Sequence, residues 1–146
     1  MTPYTRRAQF YETDQMGIIH HANYIRWFEE ARLCFLDEIG FSYRRVTDLG
    51  LDFPTISVSC EYKSMVKFDD IVEIACEVSA LSGARMTVSY LVRDAKTNEL
   101  RATGETGHCF FKNGRLVSLK KALPELFALF EKQMQENSVS RAKEAN

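Results

Sequence analysis

The chain changes its hydrophobic period near Pro54, and this change constrains the fold more than any other feature. Over residues 22–39, apolar side chains recur at three- and four-residue steps, which predicts a long amphipathic helix. Its apolar sector is wider than a single stripe, so other structure must enclose much of the helix. From Pro54 onward, apolar and polar residues alternate, which predicts strands with one buried face.

Four alternating runs follow the long helix, and turn-forming pairs mark their ends. The runs cover 56–63, 72–79, 86–93 and 100–112, and the turn pairs are Ser82-Gly83, Thr97-Asn98 and Asn113-Gly114. A first strand is predicted over 4–11 and a last helix over 124–135. Short connections make neighbouring strands antiparallel, and such a sheet can bury one helix by curling around it. The sequence therefore predicts an α+β fold, with a curved antiparallel sheet of about five strands around one central helix and a C-terminal helix.

Length and composition fit one globular domain. The chain has 146 residues, of which 45% are hydrophobic and 27% charged, as in an ordinary soluble domain. We expect a single domain over 1–136 and a polar, frayed tail over 137–146. A single sheet wrapped on one helix keeps open edges, so we expect a homodimer or homotetramer.

Charge and apolar run length argue against several classes of protein. The formal net charge of −1 is unlike that of a nucleic-acid-binding domain. No apolar run approaches the ~20 residues that span a bilayer. The first residues also lack the apolar stretch of a signal peptide. We therefore expect a cytoplasmic protein that binds no nucleic acid and does not span a membrane.

The cysteines and histidines do not form a metal-binding pattern. No two of the four cysteines have C-x-x-C spacing, and all lie in apolar segments, which favours free, buried thiols. His20 and His21 are adjacent and point apart, and His108 is the one further histidine. We expect no metal site and no cofactor.

The segment between the first strand and the long helix carries the candidate chemistry. Asp14 lies in a turn before Gly17, eight residues ahead of a helix start near Ala22. Aspartate is also common in turns for the simple reason that its carboxylate accepts hydrogen bonds from nearby amides. A helix start, however, offers unpaired N–H groups and the positive end of the helix dipole. Such donors stabilise an oxygen that gains charge during acyl transfer, and a carboxylate beside them could attack or activate water, as thioester hydrolysis requires.

This segment resembles a known enzyme family. Asp14, Gly17, His21, Asn23-Tyr24 and Glu29 follow the order and spacing of the 4-hydroxybenzoyl-CoA thioesterase family, which includes the Tol-Pal-associated acyl-CoA thioesterases. The resemblance continues more weakly through 61–62, 70–71 and 107–109, and it covers most of the chain except the tail. It implies the hotdog fold, which is the α+β arrangement predicted above. It also implies a hydrolase that converts an acyl-CoA thioester to free acid and CoA.

The resemblance implies roles for individual residues. Asp14 would be the catalytic carboxylate, either as a nucleophile that forms a mixed anhydride or as a general base on water. The backbone N–H at His21 would polarise the thioester carbonyl. CoA phosphates favour a nearby basic side chain, for which Lys67 is the candidate. The substrate-binding residues are then Gly17, Ile18, Asn23, Tyr24 and Lys67.

Three other carboxylates, those of Glu12, Glu29 and Glu30, are alternative candidates for a catalytic role. Glu12 is a conceivable second catalytic carboxylate, but it shares a side with Asp14 only if the first strand runs that far. Glu29 and Glu30 lie in the long helix, where pairing on the helix surface, such as Glu29 with Arg32, is favoured over catalysis.

The chain departs from the family pattern in one loop. Met65 stands where relatives often carry proline, and Asp69 stands where they often carry glycine. These departures put the local shape of that loop in question more than the catalytic residues.

Two other functions stay open. A hydratase or dehydratase of the same fold would also use the helix start, but it would need a histidine paired with an acid, such as His21 with Glu29. A non-catalytic acyl-CoA-binding module is the second alternative, because fold does not fix function. The acyl group, and the choice between CoA and acyl-carrier protein as its carrier, are not predicted.

Overall fold

The computed structural model describes the backbone of residues 1–145 and the side chains of residues 1–138. Its helices are α1 (Asn23–Glu38), α2 (Tyr43–Asp48), α3 (Leu119–Ala122) and α4 (Pro124–Ala145). Its strands are β1 (Tyr4–Arg7), β2 (Leu51–Asp52), β3 (Thr55–Tyr62), β4 (Ile71–Leu81), β5 (Arg85–Asp94), β6 (Leu100–Cys109), β7 (Phe111–Lys112) and β8 (Arg115–Leu116).

The long central helix is where the hydrophobic period predicts it. Helix α1 buries a wide apolar face and ends just before Gly40, the predicted terminator. The buried apolar residues on this face are Tyr24, Trp27, Phe28, Ala31, Phe35 and Leu36. Burial of large side chains such as these stabilises the fold by roughly 1.5–3 kcal/mol each. Packing of this face against the sheet therefore holds α1 in the middle of the molecule.

Five antiparallel strands form the main sheet, in the order β1-β4-β5-β6-β3. The sheet packs its inner face on α1, and the ring of Phe28 stacks on that of Tyr90 with centroids 4.3 Å apart. Gly104 of β6 makes this approach possible, since a Cβ atom there would lie 2.4 Å from the Phe28 ring. This arrangement confirms the predicted α+β fold with a sheet around one helix.

Two strand predictions differ from the structure. The first strand ends at Arg7 rather than near residue 11, because Ala8 turns away to pair its backbone with Asp69 and Asp70. The run predicted over 100–112 divides into β6 and β7 around Phe110. Strand β7 joins β2 and β8 in a separate three-stranded sheet, whose β7–β8 turn is the predicted Asn-Gly pair.

The edge strand β3 exposes both of its faces, so the prediction of one buried face was wrong for this strand in the single chain. Val58 and Tyr62 lie on the side of Cys60, which packs against the core, yet they are 42% and 47% exposed. The chain thus leaves an apolar strand surface and a free hydrogen-bonding edge uncovered.

The C-terminal helix packs against the C-terminal half of α1. Phe130 of α4 lies 6.4 Å from Phe35 and 6.3 Å from Phe53, measured between ring centroids. Helix α4 continues to Ala145, past its predicted end at 135, because no glycine or proline interrupts it. The predicted fraying of 137–146 stays a prediction, and Asn146 and the side chains of 139–146 lie outside the described residues.

The cysteines are free, as predicted, but they are not all buried. Cys109 is buried and Cys60 and Cys76 are half-buried, whereas Cys34 is exposed. Cys34 lies on the polar side of α1, between Glu30 and Asp37, so the prediction of burial was wrong for this residue. Within residues 1–145, none of the helices has the length and apolar character needed to cross a bilayer.

Candidate active site

A tight hairpin places Asp14 just ahead of the central helix. The N–H of Asp14 donates to the C=O of Ile18, and the N–H of His20 donates to the C=O of Glu12, both over 2.8 Å. Gly17 has φ +78°, a left-handed conformation that favours glycine, and its N–H donates to the C=O of Asp14. The predicted turn is therefore present, and α1 begins shortly after the hairpin closes.

The carboxylate of Asp14 is held by the turn but is not saturated. Its Oδ1 accepts a hydrogen bond of 2.8 Å from the N–H of Met16, which is the ordinary role of an aspartate in a turn. Its Oδ2 has no protein donor among residues 1–138, and the residue is half-buried. Asp14 thus has one fixed oxygen and one oxygen free to react.

The start of α1 is electropositive and only partly satisfied. The N–H groups of Ala22 and Asn23 bond to Nδ1 and to the C=O of His20, over 3.1 and 3.0 Å. The N–H of His21 has no protein acceptor in the described part of the chain, and the first turn of α1 contains no acidic residue. An unpaired N–H donor can bind a developing oxyanion when it lies at a helix start whose positive dipole end is not neutralised by a nearby acidic side chain.

Tyr62 joins this helix start to the open strand edge, and the sequence did not mark it as a site residue. Its hydroxyl donates to the C=O of His21 over 2.8 Å, and its ring meets that of Tyr24 edge-on at 5.0 Å. Burial raises the pKa of Tyr62 and of Tyr24 to about 12, so both phenols stay protonated at neutral pH. Tyr62 lies at the end of an alternating run, a signal that predicts a strand and gives no hint of this contact.

The imidazole of His21 faces aromatic neighbours. It stacks on the ring of His20 at 4.1 Å, so the prediction that these two adjacent side chains point apart was wrong. It also meets Tyr62 edge-on at 6.5 Å. No ion pair joins His21 to Glu29 or to Asp14 within residues 1–138. The histidine–acid pair that a hydratase would need is therefore not formed at this position.

Glu12 lies in the core and is fully engaged. It is 3% exposed, its Oε1 accepts from the N–H of Gln9 at 2.8 Å, and its Oε2 accepts from Nε1 of Trp27 at 2.8 Å. The guanidinium of Arg6 donates to both oxygens at 3.1 Å. A carboxylate with this many donors holds structure in place, so Glu12 does not act as a second catalytic group.

Among residues 1–138, Glu30 has hydrogen-bond partners and Glu29 has none. Glu30 accepts hydrogen bonds from Nε of Arg6 at 2.9 Å and from the hydroxyl of Tyr4 at 2.8 Å. The expected pair of Glu29 with Arg32 is not formed, because Arg32 donates to the hydroxyl of Tyr90 instead, over 2.9 Å.

The loop of 65–70 lies beside the Asp14 hairpin. Ile18 pairs with Lys67 as an isolated bridge, and the N–H of Ile19 donates to the C=O of Val66. Asp69 has φ +71°, so it adopts the left-handed conformation expected of the glycine that relatives often carry there. Aspartate tolerates this conformation better than most residues. The loop therefore accommodates Asp69 at this position, and exposed Lys67 lies at the rim of the hairpin.

The predicted site residues fall into two neighbouring groups. The first lies on the hairpin and its neighbouring loop, and it comprises Asp14, Gly17, Ile18 and Lys67. The second lies at the helix start, and it comprises His21, Asn23 and Tyr24. Asn23 and Tyr24 are buried, and the side-chain amide of Asn23 donates to the C=O of Glu12 over 2.8 Å.

An apolar cavity of about 280 Å³ lies between α1 and the sheet. Its lining includes Glu29, Arg32 and Leu33 of α1 and Thr55 of β3. The rise of a helix places Glu29 about 9 Å along α1 from Asn23. The cavity therefore lies further along α1 than the helix start, and Asp14 does not line it.

Comparison with known proteins supplies the family. A family profile described as the thioesterase-like superfamily matches residues 8–135. The chain belongs to this superfamily. A crystal structure of an Aquifex aeolicus protein is 42% identical, with a TM-score of 0.81 over 87% of this chain and 99% of that chain.

Two further superfamily relatives have named activities. The DHNA-CoA thioesterase of Staphylococcus aureus is 28% identical, with a TM-score of 0.89 over 95% of this chain and 94% of that chain. The acyl-CoA thioester hydrolase YbgC of Escherichia coli O157:H7 is 26% identical over 94 residues, 64% of this chain and 70% of that protein. These matches confirm the hotdog fold and the predicted class of enzyme, a thioester hydrolase. The narrower resemblance to 4-hydroxybenzoyl-CoA thioesterases stays a prediction.

Proposed function

We propose that this thioesterase hydrolyses an acyl-CoA thioester to the free acid and CoA, with Asp14 as its reactive carboxylate. The observation that carries the proposal is the free Oδ2 of Asp14, on a hairpin that leads directly into the unpaired N–H of His21. The named relatives act on CoA thioesters, which supports the same class of substrate here.

The two chemical roles of Asp14 share one requirement. As a nucleophile, its carboxylate attacks the thioester carbon, the CoA thiolate leaves, and water hydrolyses the mixed anhydride. As a general base, it takes a proton from the water that attacks the same carbon. In both cases negative charge grows on the carbonyl oxygen, and the N–H at His21 would stabilise it. The reaction as proposed uses no metal and no cofactor.

The other candidates surround this reacting centre. Gly17 and Ile18 would let the pantetheine arm pass close to the backbone, and Lys67 would meet a CoA phosphate. Asn23 would not touch the reacting atoms but would fix the hairpin to α1 through its hydrogen bond to the C=O of Glu12. Tyr24 would line the path of the acyl group. The cavity beyond Glu29 would receive the far end of that group.

We also propose that the active form is a homodimer built on β3, with a homotetramer as the alternative. The apolar side of β3 is uncovered, and Tyr62 on this strand touches His21. A second copy on this edge would cover the apolar side of β3 and form one wall of a substrate groove, with the start of α1 as the other wall.

Asp14→Asn tests the catalytic role. Loss of the carboxylate should reduce kcat by ~10²–10⁴-fold on the best substrate. The asparagine side-chain oxygen can still accept the hydrogen bond from Met16, so the melting temperature should change little. The measurement is free-thiol release from a panel of short, branched, long and aromatic acyl-CoA substrates, with acyl-carrier-protein thioesters as a second arm.

Asp52→Asn is the matched control, because this exposed carboxylate lies on β2 away from the hairpin. It should retain wild-type turnover. Near wild-type turnover in Asp14→Asn would rule out the assignment, and a wild-type protein that releases no thiol from any substrate would rule out the activity.

A further inference from the structure

We propose that Glu12 is the positioning residue of this active site, and that it fixes Asp14 and the His21 N–H relative to each other. The inference rests on the proposed thioesterase activity. It assigns to the buried glutamate, Arg6 and Trp27 a part in turnover although none of them reaches the reacting atoms.

Glu12 connects three separate parts of the chain through its side chain. Arg6 belongs to β1, Gln9 precedes the short 3-10 turn Phe10–Glu12, and Trp27 belongs to α1. Donors from all three meet the one carboxylate, at distances of 2.8 to 3.1 Å. Both oxygens are therefore fixed in direction, and the short turn is attached to strand and helix at once.

The backbone of the same residue holds the two reactive segments. The C=O of Glu12 accepts from the N–H of His20 and from the side-chain amide of Asn23, both over 2.8 Å. His20 immediately precedes His21, whose N–H has no acceptor among the described residues, and Asn23 begins α1. Asp14 follows Glu12 by two residues. A displacement of Glu12 would therefore move the carboxylate and the oxyanion donor relative to each other.

Stability alone is a weak reason for this arrangement. A buried ion pair gives little net stabilisation, because the cost of desolvation offsets the attraction of the charges. Glu12 and Asp94 are the two buried carboxylates among the described residues, and Asp94 holds the β5–β6 turn together with Arg101. What a buried, saturated carboxylate supplies is fixed geometry, and fixed geometry matters most beside a reacting centre.

Glu12→Gln is the first test. The amide keeps the shape of the side chain but replaces one of the two accepting oxygens by an NH2 group. That group cannot accept from Arg6, or from the second donor that this oxygen binds in the wild type. Because a misplacement of about 1 Å can reduce turnover ~10²-fold, we expect kcat to fall by ~10–100-fold while KM changes by less than about threefold. A purely structural role would lower the melting temperature and leave kcat per folded molecule unchanged.

Glu30→Gln is the matched control. Like Glu12→Gln, it removes one carboxylate charge from beside the guanidinium of Arg6. The hydrogen-bond partners of Glu30 are Arg6 and Tyr4, which lie on β1 and not on the hairpin. It should retain kcat within about threefold. Trp27→Phe is the second variant, because it removes one donor to Glu12 and leaves the ion pair intact, and it should lower kcat in the same direction by a smaller factor.

Hydrogen exchange gives a readout that does not depend on activity. Amides of residues 14–23 should exchange faster in Glu12→Gln than in the wild type, while those of β4 and β5 should not. If the wild type hydrolyses acyl-CoA and Asp14→Asn is inactive but Glu12→Gln keeps its kcat, the positioning role is wrong and the proposed function stands. If the wild type has no thioesterase activity, the proposed function fails, and unchanged exchange over 14–23 would overturn the positioning role independently.

Discussion

Asp14 and Glu12 show how two carboxylates two residues apart take different roles. Asp14 is half-buried, and one of its oxygens has no donor among the side chains and backbone of residues 1–138. The side chain of Glu12 is enclosed and accepts from three residues. A free oxygen can attack or take a proton, and a saturated one holds its neighbours in place. The environment of each carboxylate, more than its type, decides its role.

Gly17 offers a test at the scale of one residue. A Cβ atom there would meet nothing within 4 Å, but φ is +78°, so Gly17→Ala adds strain without a clash. The strain should cost about 1–2 kcal/mol of stability. Because Gly17 shapes the turn that holds Asp14, kcat should also fall. Thermal unfolding and thiol-release assays measure the two effects.

Gly114→Ala is the control for this substitution. Gly114 has φ +81° and equally open surroundings, and it lies in the β7–β8 turn. Gly114→Ala should lose about as much stability as Gly17→Ala and keep the wild-type kcat. Equal kcat in the two variants would show that the shape of the Asp14 turn does not matter for turnover.

At the scale of elements, β6 carries a buried polar chain behind the helix. His108 is fully buried, its Nε2 lies 2.8 Å from Oγ1 of Thr106, and Thr106 in turn contacts the hydroxyl of Tyr90 at 2.7 Å. Burial, and then the positive charge of Arg32, lower the pKa of His108 to about 4. The histidine is therefore neutral in the folded protein at pH 7.

This pKa predicts a pH-dependent stability. The unfolded chain binds a proton at His108 near the ordinary value of 6.5, and the folded chain does so only near 4. Stability from this group is therefore fully present above pH ~6.5 and is lost as pH falls from there toward 4. The urea midpoint should decrease between pH 7.5 and pH 5, and His108→Gln should weaken that decrease. An equally steep decrease in the variant would assign the effect to other groups.

At the scale of the whole molecule, the exposed apolar side of β3 indicates where two copies of the chain would bind each other. Val58→Lys places a charge on the uncovered apolar side of this edge strand, so it should shift the native mass toward the monomer. Light scattering measures the mass, and thiol release should fall with it because the partner would complete the groove. The expected loss of activity is at least about tenfold, the size of effect that a misplaced substrate contact produces.

Leu91→Lys is the control at this scale. Leu91 is 41% exposed, close to Val58 at 42%, but it lies on the outer face of the central strand β5. It should leave the native mass and the activity unchanged. Dissociation by Leu91→Lys, with an intact oligomer in Val58→Lys, would place the interface on the outer face of the sheet.

The sequence by itself determined the main helix and strands and the turn on which the candidate residue Asp14 lies. The change of period at Pro54 predicted helix α1 and the alternating strands, because period reports directly which face of an element is buried. The order of Asp14, Gly17 and the helix start predicted the turn, because turn chemistry and helix ends are local properties. Element ends were less predictable, since β1 stops at Arg7 through contacts with Asp69 and Asp70 that are distant in sequence.

Only the tertiary structure decided which polar groups meet. Arg6, Glu12 and Trp27 are separated along the chain, and nothing in their local spacing indicates that one carboxylate binds the other two. The same holds for Tyr62 and His21, which meet because the sheet curls back over the start of α1. Periodicity fixes which way a side chain points along its own element. Hydrogen bonds between elements depend on how those elements pack, and that is set by the whole core at once.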